Sequence, residues 1–101
     1  MEFDVRFFSK VEDVFRIKGR GLFVLLGAME HGIRVKPEDS IQLRTPDGRV
    51  LDTQVPAIEF VSGKNLKGHI AFRFLSDVKE EDAPLGTEIW LIRDHGPEKN
   101  L

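Results

Sequence analysis

The chain of 101 residues contains no cysteine, which excludes disulfide bridges and thiolate metal sites. It also lacks a long apolar run. In its most apolar stretch, residues 19–32, the uninterrupted run extends only from Leu22 to Leu26, far short of the ~20 residues of a membrane-spanning helix. The first eight residues carry acids at positions 2 and 4, so we expect no secretory signal there. These absences predict a cytoplasmic protein that does not enter a membrane.

The glycine patterns that bind nucleotides are incomplete. A dinucleotide fingerprint beginning at Gly19 and Gly21 needs a third glycine where Val24 stands. A Walker-type loop ending at Gly63-Lys64 needs a glycine where Ile58 stands. We therefore predict that the chain binds no nucleotide.

Residues with catalytic or metal-binding chemistry are few and scattered. The histidines at positions 31, 69 and 95 do not stand at the close spacings of metal ligands. The four serines lie near predicted strand ends or turns, and none has a suggestive histidine neighbour. Nucleophilic catalysis requires a nucleophile, a base and an orienting group within reach of one another. The sequence thus predicts a protein that is not an enzyme and holds no metal or cofactor.

The formal net charge of −2 is unusual for a protein that binds nucleic-acid phosphates without sequence preference. A local basic stripe is nevertheless present at Arg16, Lys18 and Arg20, which recur at every second position. One interpretation is contact with a phosphate or an acidic partner. The other is that long charged side chains simply cover the outer surface of the protein.

Hydrophobic residues make up 41% of the chain and charged residues 32%, which is typical of one soluble, folded domain spanning residues 1–101. Within residues 19–32, four glycines disfavour a helix by about 1 kcal/mol each where they are internal, so we predict a strand over residues 22–30. Alternating or apolar segments predict the other strands: residues 3–8, 13–19, 40–45, 50–51, 57–61, 69–75 and 87–92.

Turn chemistry separates these strands. Gly19–Gly21 predicts a hairpin, residues 45–49 and 62–65 predict tight turns, and Pro56 interrupts a strand. Residues 76–84 predict a helical turn that Ser76 or Asp77 caps, and residues 93–101 a flexible tail. The fold class is therefore all-β: a small, closed or nearly closed antiparallel barrel of six to seven strands.

The order of motifs resembles the β-barrel that follows the GTPase domain in elongation factor Tu and other translation GTPases. The stretches "VEDVFRIKGRG" and "GAMEHGIRVKPEDSIQL" are similar to the opening blocks of that barrel, followed by "AIEFV", "HIAFRFLSDVKEED" and "PLGTEIWL". The resemblance covers about residues 11–92 and implies the fold of the second domain of those factors. The sequence contains no GTPase motif, so the barrel would act alone.

The resemblance also implies a pocket and a local irregularity. In elongation factor Tu, a Glu and an Asn of this domain lie near the terminal adenosine of the aminoacylated tRNA. Their positions correspond here to Glu59, which matches, and His69, which replaces the Asn. The strand between Gly21 and Gly27 is one residue longer than in the family, which predicts a β-bulge in it.

The apolar run supplies the candidate partner-binding residues Leu22, Phe23, Leu25 and Leu26. One face of this strand must fill the barrel, and the other face carries large apolar groups as well. Either another part of the chain covers that second face, or it forms an interface with a protein partner or a second copy. We predict a non-catalytic module that mediates protein–protein interaction. The alternatives are an RNA- or tRNA-linked translation accessory domain and a small immunity or inhibitor protein.

Overall fold

The structure, a computed structural model, describes residues 3–63 and 66–94. Its strands are β1 (Phe3–Ile17), β2 (Gly21–Leu26), β3 (Ser40–Arg44), β4 (Val50–Gln54), β5 (Ala57–Gly63), β6 (Leu66–Phe74) and β7 (Glu88–Asp94). They form one antiparallel sheet in the order β4-β3-β7-β1-β2-β6-β5. A single 3-10 turn, Glu80–Asp82, is the only helical element in the described part. The predicted all-β class is confirmed.

The sheet has two halves, β4-β3-β7-β1 and β1-β2-β6-β5, which share strand β1. It curls around its core because β1 takes part in both halves. The first part of this 15-residue strand pairs with β7, and the second part pairs with β2. The two edge strands, β4 and β5, are separated in sequence by only Val55 and Pro56, so the edges meet at one corner. No ladder joins β4 to β5 among the described residues, and the sheet is therefore not closed by hydrogen bonds.

One hydrophobic core lies inside the curl and draws on both halves of the sheet. Its members are fully or almost fully buried: Phe8, Val11, Leu22, Val24, Leu26, Ile41, Leu43, Val55, Phe72, Phe74, Val78, Ala83, Ile89 and Leu91. Phe8 of β1 stacks on Phe72 of β6 with ring centroids 6.3 Å apart. From the long segment between β2 and β3, Ile33 and Val35 pack against this core. The core thus holds the two halves together.

Several sequence expectations are confirmed. The alternation of residues 40–45 and 69–75 predicts that Ile41, Leu43, Phe72 and Phe74 point inward, and all four are buried. Pro56 separates β4 from β5, as a residue without an amide donor should. The turn at 45–49 closes through the Thr45 amide, which donates to the Arg49 carbonyl at 2.9 Å. The turn expected at 62–65 lies partly outside the described residues.

Other expectations are wrong at the ends of elements. Segments 3–8 and 13–19 are one bent strand, because irregularities after Phe7 and Val11 let it pair on both sides. The strand expected over 22–30 ends at Leu26. The chain then follows β1 through sparser bonds, in which the Gly27 amide donates to the Lys10 carbonyl and the Glu30 amide to that of Phe8.

Corrections also apply to the turn and the tail. The helical turn within 76–84 is preceded by Lys79, whose amide donates to the Asp82 carboxylate at 2.9 Å, and not by Ser76 or Asp77. Arg93 and Asp94 belong to β7 and pair with β1, so the tail predicted over residues 93–101 is wrong for these two residues. Residues 95–101 lie outside the described part.

The β-bulge predicted in β2 is wrong, because the irregularity of the β1–β2 ladder lies in β1. Val11 pairs with Leu26 and Asp13 with Leu25, so Glu12 is the residue without a partner. This bulge changes which residues face inward, because Val11 is buried and Val14 also packs against the core. Phe15 and Arg16 lie on opposite faces of β1, as the alternation of residues 13–19 predicts. It is Arg16, however, that shares the core face, since it pairs with the buried Leu22.

The hairpin glycines give a direct test of the β1–β2 turn. Gly21 has φ +118°, and an added Cβ would lie 2.4 Å from the Phe74 carbonyl oxygen. Gly19 has φ +82°, and its added Cβ would meet nothing within 4 Å. We expect Gly21→Ala to lower the free energy of unfolding by about 3 kcal/mol or more. The backbone strain of an alanine at positive φ and the clash of its Cβ with the Phe74 carbonyl oxygen both contribute. Gly19→Ala should cost about 1–2 kcal/mol. Urea denaturation measures both, and equal losses would contradict the close approach of Gly21 to β6.

Candidate functional site

The four predicted partner-binding residues are all buried within the chain. Leu22 and Leu26 belong to the main core. Phe23 and Leu25 point to the outer face of the sheet, yet only 4% and 2% of their surfaces are exposed. Strand β2 also has a hydrogen-bonded neighbour on each side, β1 and β6. No partner therefore reaches these side chains in the folded chain unless their cover moves.

A small second cluster covers the outer face of β2. Phe23, Leu25 and Ala71 form its buried part, and Phe15 and Val61 pack against them. The rings of Phe15 and Phe23 are nearly parallel, with centroids 5.5 Å apart. The cover thus comes from the neighbouring strands β1, β5 and β6. Cross-strand side-chain pairs of this kind are the ordinary way in which a sheet buries apolar groups on an outer face.

The basic stripe does not form one continuous surface. Arg16 lies on the core face at the end of β1, whereas the guanidinium of Arg20 lies over the ring of Phe23, 5.5 Å from its centroid. Lys18 lies in the turn between them. All three side chains are exposed, and within residues 3–63 and 66–94 none of them forms an ion pair. The structure leaves their positive charges available to solvent or to a ligand.

The predicted pocket of Glu59 and His69 is not brought together as a pair. Glu59 accepts a hydrogen bond from Nε of Arg73 at 2.6 Å, and both side chains are about three-quarters buried. Nε2 of His69 faces the carboxylate of Glu12 at 3.6 Å, and its Nδ1 is buried without a hydrogen-bond partner. The two residues occupy the outer face, but each has a different partner.

An apolar surface that the sequence reasoning missed lies on the outer face of β1 and β7. We call it the Trp90 face, and it consists of Phe3, Val5, Phe7, Trp90 and Ile92. The ladder places Phe7 beside Trp90 and Val5 beside Ile92 on one side of the sheet. Phe3 is 57% exposed and Val5 43% exposed. The loose alternation of "FDVRFF" contained the signal, but alternation alone does not say which set of residues faces the core.

Polar groups border the Trp90 face and hold its tryptophan in place. The guanidinium of Arg44 lies over the indole, 4.2 Å from the ring centroid. The indole N–H donates to the Glu88 carboxylate at 2.9 Å, and Phe7 meets the ring edge-on at 5.7 Å. Nε of Arg44 also donates to the Gln42 side chain at 2.7 Å. The indole is therefore fixed in orientation while part of its surface stays open.

Among the described residues, two carboxylates have shifted pKa values, and both belong to turns. Burial acts to raise the pKa of Asp39, but hydrogen bonds and charge from Lys36, with Arg93 nearby, hold it below its usual value. The hydroxyl of Thr45 donates to Asp47 and, together with Arg49, lowers the pKa of that group. Both carboxylates are engaged in local structure, so neither is poised as a general acid or base.

Other kinds of site find no support in the described part of the chain. Among residues 3–63 and 66–94, no three histidine, aspartate or glutamate side chains come together as metal ligands would. No helix in the same residues has the length and hydropathy to cross a bilayer.

Burial of Leu25 leads to a clear expectation. Leu25→Glu should unfold the chain, because an unpaired carboxylate would replace a side chain that is only 2% exposed. Met29→Glu is a matched control, since Met29 lies in the strand expected from the sequence but is 41% exposed in the structure. Circular dichroism melts should show loss of the cooperative transition for the first variant only. A folded Leu25→Glu protein with an unchanged melting temperature would place that side chain at the surface.

Comparison with known proteins leaves the resemblance to translation GTPases as a prediction. No family model matches the chain, and neither a curated protein nor a solved structure matches it.

Proposed function

We propose that this chain is a non-catalytic binding module of the cytoplasm, with a barrel-like fold similar to the second domain of elongation factor Tu, and that it mediates protein–protein interaction. The observation that carries the proposal is the Trp90 face. A small domain that has filled its core has no structural need for Phe3 and Val5 to be exposed on the same face as a tryptophan, and a contiguous exposed apolar patch on a soluble protein marks an interaction site.

The composition of the Trp90 face supports a protein partner in particular. Tryptophan and arginine are the residues most enriched among those that dominate binding energy, and aromatic residues are enriched in interfaces generally. Here Arg44 and Trp90 are stacked, so their orientation is set before a partner arrives. Ordering these side chains in advance reduces the entropy lost on binding.

The curled sheet supports the barrel-like part of the proposal. Its two edges are joined through two residues, Val55 and Pro56, and one core fills the space between its halves. The Val55 amide donates to the Asp39 carbonyl at 2.8 Å, and the Glu38 amide donates to that of Val55. These two hydrogen bonds join the residue after β4 to the segment before β3. They lie at the corner where the edge strands β4 and β5 meet.

Charge placed on the Trp90 face should abolish partner binding. We expect less partner to be recovered with Val5→Lys than with the wild type from cells that produce the chain. With the purified partner, the variant should raise the dissociation constant at least about tenfold, or about 1.4 kcal/mol. A lysine there would be desolvated against Ile92 and the partner's surface. Quantitative mass spectrometry of affinity-purified complexes identifies the partner, and calorimetry measures its dissociation constant.

Leu85→Lys is the matched control, because Leu85 is 60% exposed but lies in the turn before β7. This variant should bind as the wild type does. If Val5→Lys keeps full affinity, or if Leu85→Lys loses as much, the Trp90 face is not the binding surface.

The unpaired basic residues favour a second candidate, an RNA-linked role. Arg16 and Lys18 carry exposed charges without an ion-pair partner among the described residues. If tRNA is the ligand, the logarithm of its binding constant should fall linearly with the logarithm of salt concentration. The double variant Arg16→Glu with Lys18→Glu should then abolish binding in a filter assay. Unchanged binding in that variant would exclude this pair of residues as the RNA contact.

A further inference from the structure

Strand β5 has an edge that no other strand among the described residues covers, and we propose that two copies of this chain pair through it, β5 against β5, as an antiparallel extension of the sheet. The pairing centres on Phe60, which lies opposite Phe60 of the second copy. This dimer uses a different surface from the Trp90 face, and its partner is a second copy of the chain. The proposal therefore does not rest on the proposed function.

The edge of β5 is free where the edge of β4 is not. Among residues 3–63 and 66–94, strand β5 pairs with β6 alone, and its Glu59 side chain bonds to Arg73 of that same neighbour. Strand β4 is flanked by the segment after β6. The Thr53 hydroxyl donates to Asp77 at 3.0 Å, and just before β4 the Arg49 guanidinium donates to the Glu81 carbonyl. Unpaired backbone groups along β5 are a template for another strand.

The side chains of β5 suit a dry contact. Ile58 and Phe60 lie on the core face, because they pair with Phe72 and Ile70. At the edge they remain 36% and 71% exposed, although the sequence pattern places them with the core. The only charged side chain of the strand, Glu59, is already neutralised by Arg73 at 2.6 Å. Residues 57–63 contain neither a lysine nor a proline, which are two usual protections of an edge strand, and their one register shift lies after Val61.

The strand's own residues restrict the register of a two-fold pair. Centring on Glu59 would place two carboxylates opposite each other, which is destabilising. Centring on Ile58 would bring Phe60 against Pro56, which has no amide to donate. The ladder shifts after Val61, so centring there would lose regular pairing. Centring on Phe60 avoids the first two problems, gives regular pairing over residues 59–61, and pairs two aromatic rings on the core face.

Self-pairing is favoured over capture of a foreign strand because this register makes the edge complementary to itself. Glu59 then faces Val61 of the second copy, so no like charges meet. A two-fold contact uses the same edge on both chains and closes after two copies. The assembly satisfies both open edges at once and leaves the Trp90 face accessible on each copy.

Sedimentation equilibrium tests the proposal on the intact chain. The wild type should have the mass of two chains, and Phe60→Lys should raise the dimer dissociation constant at least about tenfold, because two ammonium groups would meet at the centre of the pair. Val50→Lys is the matched control, since Val50 is 56% exposed on the other edge strand, β4. It should remain a dimer.

The absence of cysteine permits a second, independent test of register. Phe60→Cys places two thiols opposite each other at a Cα separation of about 4.5–5.5 Å, within disulfide range. Ile58→Cys places them about 13 Å apart, four residues along the ladder. Under a mild oxidant, the first variant should form covalent dimers and the second should not. This test holds even if Phe60→Lys fails to fold.

A monomeric wild type would overturn the proposal, and so would a dimer that survives Phe60→Lys or that Val50→Lys dissociates equally. Equal cross-linking of Phe60→Cys and Ile58→Cys would reject the register. None of these results bears on the Trp90 face, because Val5→Lys leaves β5 intact and Phe60→Lys leaves β1 and β7 intact.

Discussion

The structure depends on the pairing of one strand, β1, along two different neighbours. Its 15 residues bond to β7 at the start and to β2 at the end, so it is the only connection between the two halves in the order of the sheet. The irregularities after Phe7 and Val11 bend it between these two tasks. They also bury consecutive residues, Phe8 and Ser9, which a straight alternating strand would place on opposite sides. Without this bend, the halves would not enclose a common core.

The two halves finish their outer faces in different ways. On the half built from β2 and β6, Phe15 stacks on Phe23, and Arg20 lies over the same ring. The apolar run is therefore covered by its own neighbours. On the half built from β1 and β7, Trp90 is framed by Arg44, Glu88 and Phe7 but is not covered. The difference explains why the most apolar stretch of the sequence is not where the exposed apolar surface lies. A run buried on both faces of a central strand needs no partner.

Sequence reasoning predicted the strands where alternation was regular and bounded by turn residues. Ile41 and Leu43, or Phe72 and Phe74, alternate with polar residues, and the structure buries them as expected. It failed where a bulge shifted the alternation, because one extra residue moves every later side chain to the other face. Glu12 has this effect on β1, and Arg16 consequently shares the face of Leu22. It also failed to pair Glu59 with Arg73, since that contact joins residues 14 apart in sequence across a ladder.

By itself, the sequence determined the all-β class, the hairpin at Gly19–Gly21 and the turn at 45–49, because these follow from local backbone preferences and nearby patterning. The tertiary structure alone decided which faces and edges are open. Phe3 and Val5 are exposed because they lie on the outer side of β1, and Phe60 because β5 is the last strand of the sheet. Burial at such positions depends on neighbours that are distant in sequence, and strand order is not visible in the alternation of any one segment.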